Sequence, residues 1–194
     1  MFGTISETKK SLLAEVNLPA EFESLFLDRL NEADHRYIKD LKINVANALK
    51  APSLGEKDAV LLALGVAINE KSTALIASLE ALAQQRGVSE KELNEVAACV
   101  SLMNANNVFY RFRHFMNKES YNNMQAGIRM SIMMNPVLGK EFFELLSLVI
   151  SAVNGCEMCV TSHEASVKSH GASEQRIFDA VRLAAVFKSF ITLL

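Results

Sequence analysis

Apolar residues recur along this chain at spacings of three and four, and sustained alternation, the mark of a half-buried strand, is scarce. The segment around Glu21 to Leu49 carries Phe22, Leu25, Phe26, Leu30, Tyr37, Ile38, Leu41 and Val45, which predicts two amphipathic helices broken near Glu32 to Asp34. Ala51-Pro52 stops the second, because proline disfavours the helical conformation of the residue before it. Ser53-Leu-Gly-Glu56 then resembles a capping box and predicts the start of a long apolar helix, ended at Arg86-Gly87. A second box, Ser89-Glu-Lys-Glu92, opens a helix through Leu93, Val96, Ala97, Val100 and Met103. Asn135-Pro136 reads as a further start, followed by Phe142, Phe143, Leu146, Val149 and Val153 up to Asn154-Gly155.

The expected fold is therefore all-α, one domain over residues 1–194, with a faint internal repeat whose halves fall at about 53–118 and 136–194. Placing Gly87-Val-Ser89-Glu90 on Gly171-Ala-Ser173-Glu174 gives a shift of 84 residues. Under it Val60 faces Glu144, Ser72 faces Cys156, Leu75 faces Cys159 and Leu79 faces His163. If the halves are related, only the second keeps the chemistry.

Composition narrows the function classes. Half of the 194 residues are apolar, enough for a real core without a disulfide framework. A net charge of −2, mixed along the chain, gives no electrostatic case for nucleic acid or an anionic membrane. The most apolar runs, Ala59 to Ile68 and Leu145 to Val153, fall short of the roughly 20 residues that span a bilayer and read as buried helix segments. The start, MFGTISETKK, has no apolar stretch after a basic region, so the expected compartment is the cytoplasm, where a Cys-x-x-Cys pair points to redox or metal chemistry.

That pair is Cys156-Glu-Met-Cys159-Val-Thr-Ser-His163. Cys156 falls at the beginning of a helix, where free amides and the positive end of the dipole favour a thiolate. Three-residue spacing puts both sulfurs on one face, close enough for a disulfide to form and reopen without unfolding. His163 follows four residues after Cys159 on that face and can take a proton from a thiol or hold a relay water. Glu144, twelve residues before Cys156, reaches the same neighbourhood if the two helices fold back antiparallel.

Other readings compete. Zinc would need two ligands beyond the pair, such as His163 with Cys99 or His170, and no second tight pair exists. Both cysteines could also be small buried hydrophobes. Cys99, among Val96, Ala97, Ala98 and Val100, reads as core, and His170 as a helix-end cation. Arg111-Phe-Arg-His114-Phe115 reads as a solvated face with two buried rings, and the eight methionines as core filling, with Met130, Met133 and Met134 also suited to line an interface or a hydrophobic channel. No phosphate loop or nucleotide fingerprint stands out.

The order Glu144, Cys156-x-x-Cys159, His163, then a helix and Gly171, resembles the AhpD alkylhydroperoxidase family within the carboxymuconolactone decarboxylase-like superfamily, most specifically over Pro136 to Leu194. The resemblance implies a homotrimer or other homo-oligomer that reduces alkyl hydroperoxides. It further implies no bound cofactor or metal, electrons from dihydrolipoamide on a lipoyl-bearing protein, and recycling of a partner peroxiredoxin, AhpC. Cys159 would attack the peroxide and become a sulfenic acid. Cys156 would serve as proton donor, resolve the sulfenic acid into a disulfide, and be the more exposed sulfur for exchange; Glu144 and His163 would carry the proton relay. The family often has a second histidine just before the second cysteine, where this chain has Met158. The alternatives are a redox-sensing protein and a carboxymuconolactone decarboxylase-like enzyme; retention of the dithiol weighs against the latter.

Overall fold

The structure is a computed structural model that describes residues 6–194; the reading of the chain's first residues as lacking a leader falls partly outside them. Regular structure among the described residues is entirely helical: α1 (Glu7–Glu15), α2 (Leu25–Glu32), α3 (Arg36–Leu49), α4 (Glu56–Asn69), α5 (Thr73–Gln85), α6 (Glu90–Met116), α7 (Glu119–Asn122), a 3-10 turn (Ser131–Met134), α8 (Lys140–Val153), α9 (Glu157–Ser169) and α10 (Glu174–Ile191). Among the described residues no helix is long and apolar enough to cross a membrane.

The most apolar stretch of sequence is the centre of the molecule. Every residue of α4 from Ala59 to Ala67 is buried, because the helix is enclosed by α5, α6, α8 and α10. An amphipathic stripe would leave one side wet; α4 has no wet side, and its sequence shows no polar face over those nine residues. Gly65 sets how closely α8 approaches, since a Cβ there would lie 2.6 Å from Leu146 Cδ1. Both apolar runs are spent mostly inside the chain, with Ile68, Ala152 and Val153 only partly covered.

Three expected boundaries shift. Ser53 does not cap α4: its hydroxyl donates to Asp179 Oδ2 at 2.6 Å, and Gly55, with φ +73°, begins the helix instead. The long apolar helix is two helices, α4 and α5, turned at Lys71 in the left-handed region (φ +60°). Asn135-Pro136 does not open α8, which begins four residues after Pro136, at Lys140 behind Gly139. The amides of Val137 and Leu138 donate to the two carboxylate oxygens of buried Glu95, both at 2.6 Å, which holds that strip as a turn. The Ser89–Glu92 box forms in full at the start of α6.

Helices α4 and α8 begin 84 positions apart (Glu56, Lys140) and end 84 apart (Asn69, Val153). So do α5 and α9 (Thr73 and Glu157, Gln85 and Ser169). Arg176 on α10 joins the starts of both hairpins, donating to Glu141 (2.7 and 3.1 Å), Asp58 (2.5 Å) and the carbonyls of Ser53 and Leu54.

Candidate active site

Antiparallel packing of α8 and α9 brings the predicted residues together. The turn between them, Asn154-Gly155, needs the left-handed conformation at Gly155 (φ +69°), which glycine adopts without a side-chain penalty. Cys156 then caps α9, with Cys159 one turn along and bonded to it, at Cα–Cα 5.3 Å. His163 Nδ1 lies 2.6 Å from Glu144 Oε2, and both side chains are mostly buried. A carboxylate only accepts, so the shared hydrogen sits on Nδ1 and the other ring nitrogen, Nε2, is the ring's acceptor.

Beside this pair lies a cavity of about 320 Å³ lined by Asn106 and Tyr110 of α6, Met130, Met133, and Met158, Cys159, Ser162 and His163. Cys159 opens onto it and Cys156 is not among its lining residues. Cys156, expected to be the more exposed of the two, is buried like Cys159, at 1% against 6%. The cause is the turn, whose closure by Cys156 N–H to Ser151 O (3.0 Å) folds the first cysteine against the end of α8.

A run of amides fixes that turn. Asn104 Nδ2 donates to Asn69 Oδ1, Asn69 Nδ2 to Asn154 Oδ1, Asn154 Nδ2 to Asn107 Oδ1, and Asn107 Nδ2 to Ser151 Oγ, at 2.9 to 3.0 Å. Arg111 donates to Asn154 O at 2.6 Å. Sequence reasoning missed these residues and Asn106. A signal was present: Asn107 stands four and seven residues after Met103 and Val100, on the face those core residues occupy.

The remaining candidates lie elsewhere. Cys99 is buried with Sγ 3.4 Å from Ser147 Oγ; burial, and then the nearby Glu144 and Glu95 carboxylates, push its thiol up to about 12. His170 ends α9, its Nδ1 2.9 Å from Ser166 O. Neither joins the cysteine pair, and among the described residues no group of three or more His, Cys, Asp or Glu converges to hold a metal. His114 faces Glu157 at 3.5 Å. Phe112 and Phe115, expected to be buried, are exposed, Phe115 by 74%. Met130 and Met133 line the cavity as expected; Met134 does not.

Residues 120–193 match the model of the Carboxymuconolactone decarboxylase family. The chain is 36% identical over 170 residues to the alkyl hydroperoxide reductase AhpD of Maricaulis maris, covering 87% of this chain and 96% of that protein. It is 40% identical over 161 residues to the protein of that name from Anaeromyxobacter dehalogenans (82% and 86% covered) and 34% over 163 to that from Streptomyces coelicolor (84% and 91%). The chain belongs to the AhpD family.

Proposed function

We propose that this protein is a thiol peroxidase that reduces alkyl hydroperoxides through Cys159 and Cys156. The observation that carries the reading is the Glu144–His163 hydrogen bond beside a disulfide whose inner sulfur lines a cavity. In the reduced enzyme His163, oriented by Glu144, takes the Cys159 proton. The thiolate attacks the terminal peroxide oxygen, the O–O bond breaks, and the alkoxide leaves as alcohol with the proton from His163. The resulting sulfenic acid condenses with the Cys156 thiol, releasing water and forming the disulfide. A dihydrolipoyl dithiol reopens it by two thiolate exchanges and leaves as its own disulfide.

The donor is dihydrolipoamide on a carrier protein in the cytoplasm, and the same dithiol regenerates a peroxiredoxin of AhpC type. The working form is a homo-oligomer, a trimer by family resemblance. Val108, Phe112 and Phe115 support it, for they share one side of α6 at helical spacing and are all exposed. Peroxide turnover with dihydrolipoamide, with and without the peroxiredoxin, tests the reading; no turnover by reduced enzyme in either arrangement overturns it.

A further inference from the structure

Among the side chains that line the cavity beside Cys159, Asn106 has a buried acceptor with no partner. Asn106 is 5% exposed and lines the cavity with Cys159 and His163. Its Nδ2 donates to Met130 Sδ at 3.3 Å, while Oδ1 has no hydrogen-bond partner among the described residues. The thioether fixes which way the amide faces, because the reverse orientation would set the carbonyl against sulfur lone pairs. Buried acceptors are seldom left unmade in a native structure, and one beside a cavity calls for a partner from that cavity, a water or a ligand.

We propose that Asn106 Oδ1 seats the hydroperoxide, accepting the hydrogen of its terminal O–H and so aiming that oxygen at Cys159. This rests on the peroxidase reading above. Met130, Met133 and Met158 give the alkyl end an apolar, deformable wall. As the Cys159 S–O bond forms and the O–O bond breaks, sulfur gives up two electrons and the alkoxide takes its proton from His163. The terminal hydrogen stays where it was, now on the sulfenic acid, so the Asn106 contact made by the substrate persists in the product. Asn106 thus acts by orientation, and it takes no proton.

Asn106→Leu has nearly the same shape and removes the orphaned acceptor, so it should melt no lower than wild type. With tert-butyl hydroperoxide its kcat/KM should fall roughly 10- to 100-fold, the range in which misaimed reactants are felt. Single-turnover reduction of its disulfide by dihydrolipoamide should remain within about twofold of wild type. Peroxide kcat/KM within that same margin, or a loss confined to the dithiol step, overturns the proposal. A second measurement separates it from the peroxidase reading: in Cys159→Ser, tert-butyl hydroperoxide should shift the Asn106 side-chain amide resonance. A shift in a protein whose wild type consumes no peroxide would sink the peroxidase chemistry and keep the seat; no shift sinks the seat.

Discussion

The hairpins α4–α5 and α8–α9 share helix lengths and turn position at an offset of 84 residues, yet only the second holds a paired carboxylate and imidazole beside a dithiol. In the first, Val60, Leu75 and Leu79 are fully buried. The corresponding positions of the second hold Glu144, Cys159 and His163. The backbone frame alone therefore supplies no reactivity. What it supplies is a place for three side chains from two helices, filled by apolar packing in one case and by a carboxylate, a sulfur and an imidazole in the other. The turns share one backbone form and differ in residue: Lys71 (φ +60°) occupies the left-handed region where the second hairpin uses Gly155 (φ +69°). Even the ion pairs are mirrored with reversed sign, Lys57–Glu92 at the start of the first and Glu141–Arg176 at the start of the second.

The sharpest way to break the comparison is at sulfur. Cys159→Ser should lower peroxide consumption by roughly 10⁴-fold or more, and Cys156→Ser should stop turnover while leaving a sulfenic acid that dimedone traps. Intact mass and stopped-flow rates check both, and near-wild-type turnover in either would refute the assignment. Next comes the relay. Glu144→Val, which installs the residue of the inert hairpin, should fold and lose roughly 10²- to 10⁴-fold in rate, with the pH profile of Cys159 alkylation displaced. An unmoved profile would leave Glu144 no part in proton transfer.

Substitutions in the first hairpin should act on stability alone. Leu79→Ala should cost about 2–5 kcal/mol in denaturant unfolding while kcat per folded molecule stays at the wild-type value. The smallest effects should distinguish the mirrored ion pairs. Arg176→Met leaves the Asp58 and Glu141 carboxylates facing each other without their guanidinium and should cost about 3 kcal/mol. Lys57→Met, at an exposed pair, should cost about 0.2–1 kcal/mol. The hydrogen bond from Lys57, with those at Ser89, holds the Glu92 carboxyl down from 4.5 to about 2. Its folded value lies below its unfolded one, so its contribution is whole above the unfolded value and is lost as pH falls toward 2. Glu92→Gln should flatten that part of the acid-unfolding curve.

Local rules carried the reading where partners are local. The Ser89–Glu92 cap, the break at Arg86-Gly87 and the helical face shared by Cys156, Cys159 and His163 depend on residues a few positions apart, and the structure has them where the sequence places them. Distant partners defeated it. Ser53 went to Asp179, 126 residues away, and Glu95 captured the amides that made Asn135-Pro136 look like a helix start. Asn106 and Arg111 look solvated on a helix until α8 and α9 are laid against them, whereas Asn107 already stands on the face of Val100 and Met103. The exposure of the two sulfurs followed from a turn closed by Ser151, which no spacing rule contains.

The Cys156–Cys159 bond spans three positions at the entrance of a single helix. A ring that short restrains little of the unfolded chain, and both anchors already stand near each other in the native fold. It is therefore a poor lever: making or breaking it has almost no stroke to pass to the rest of the molecule. A signalling device wants the opposite, a bond that drags distant parts together. A bond without mechanical reach suits a protein that stores an oxidising equivalent briefly, hands it on, and is ready for the next.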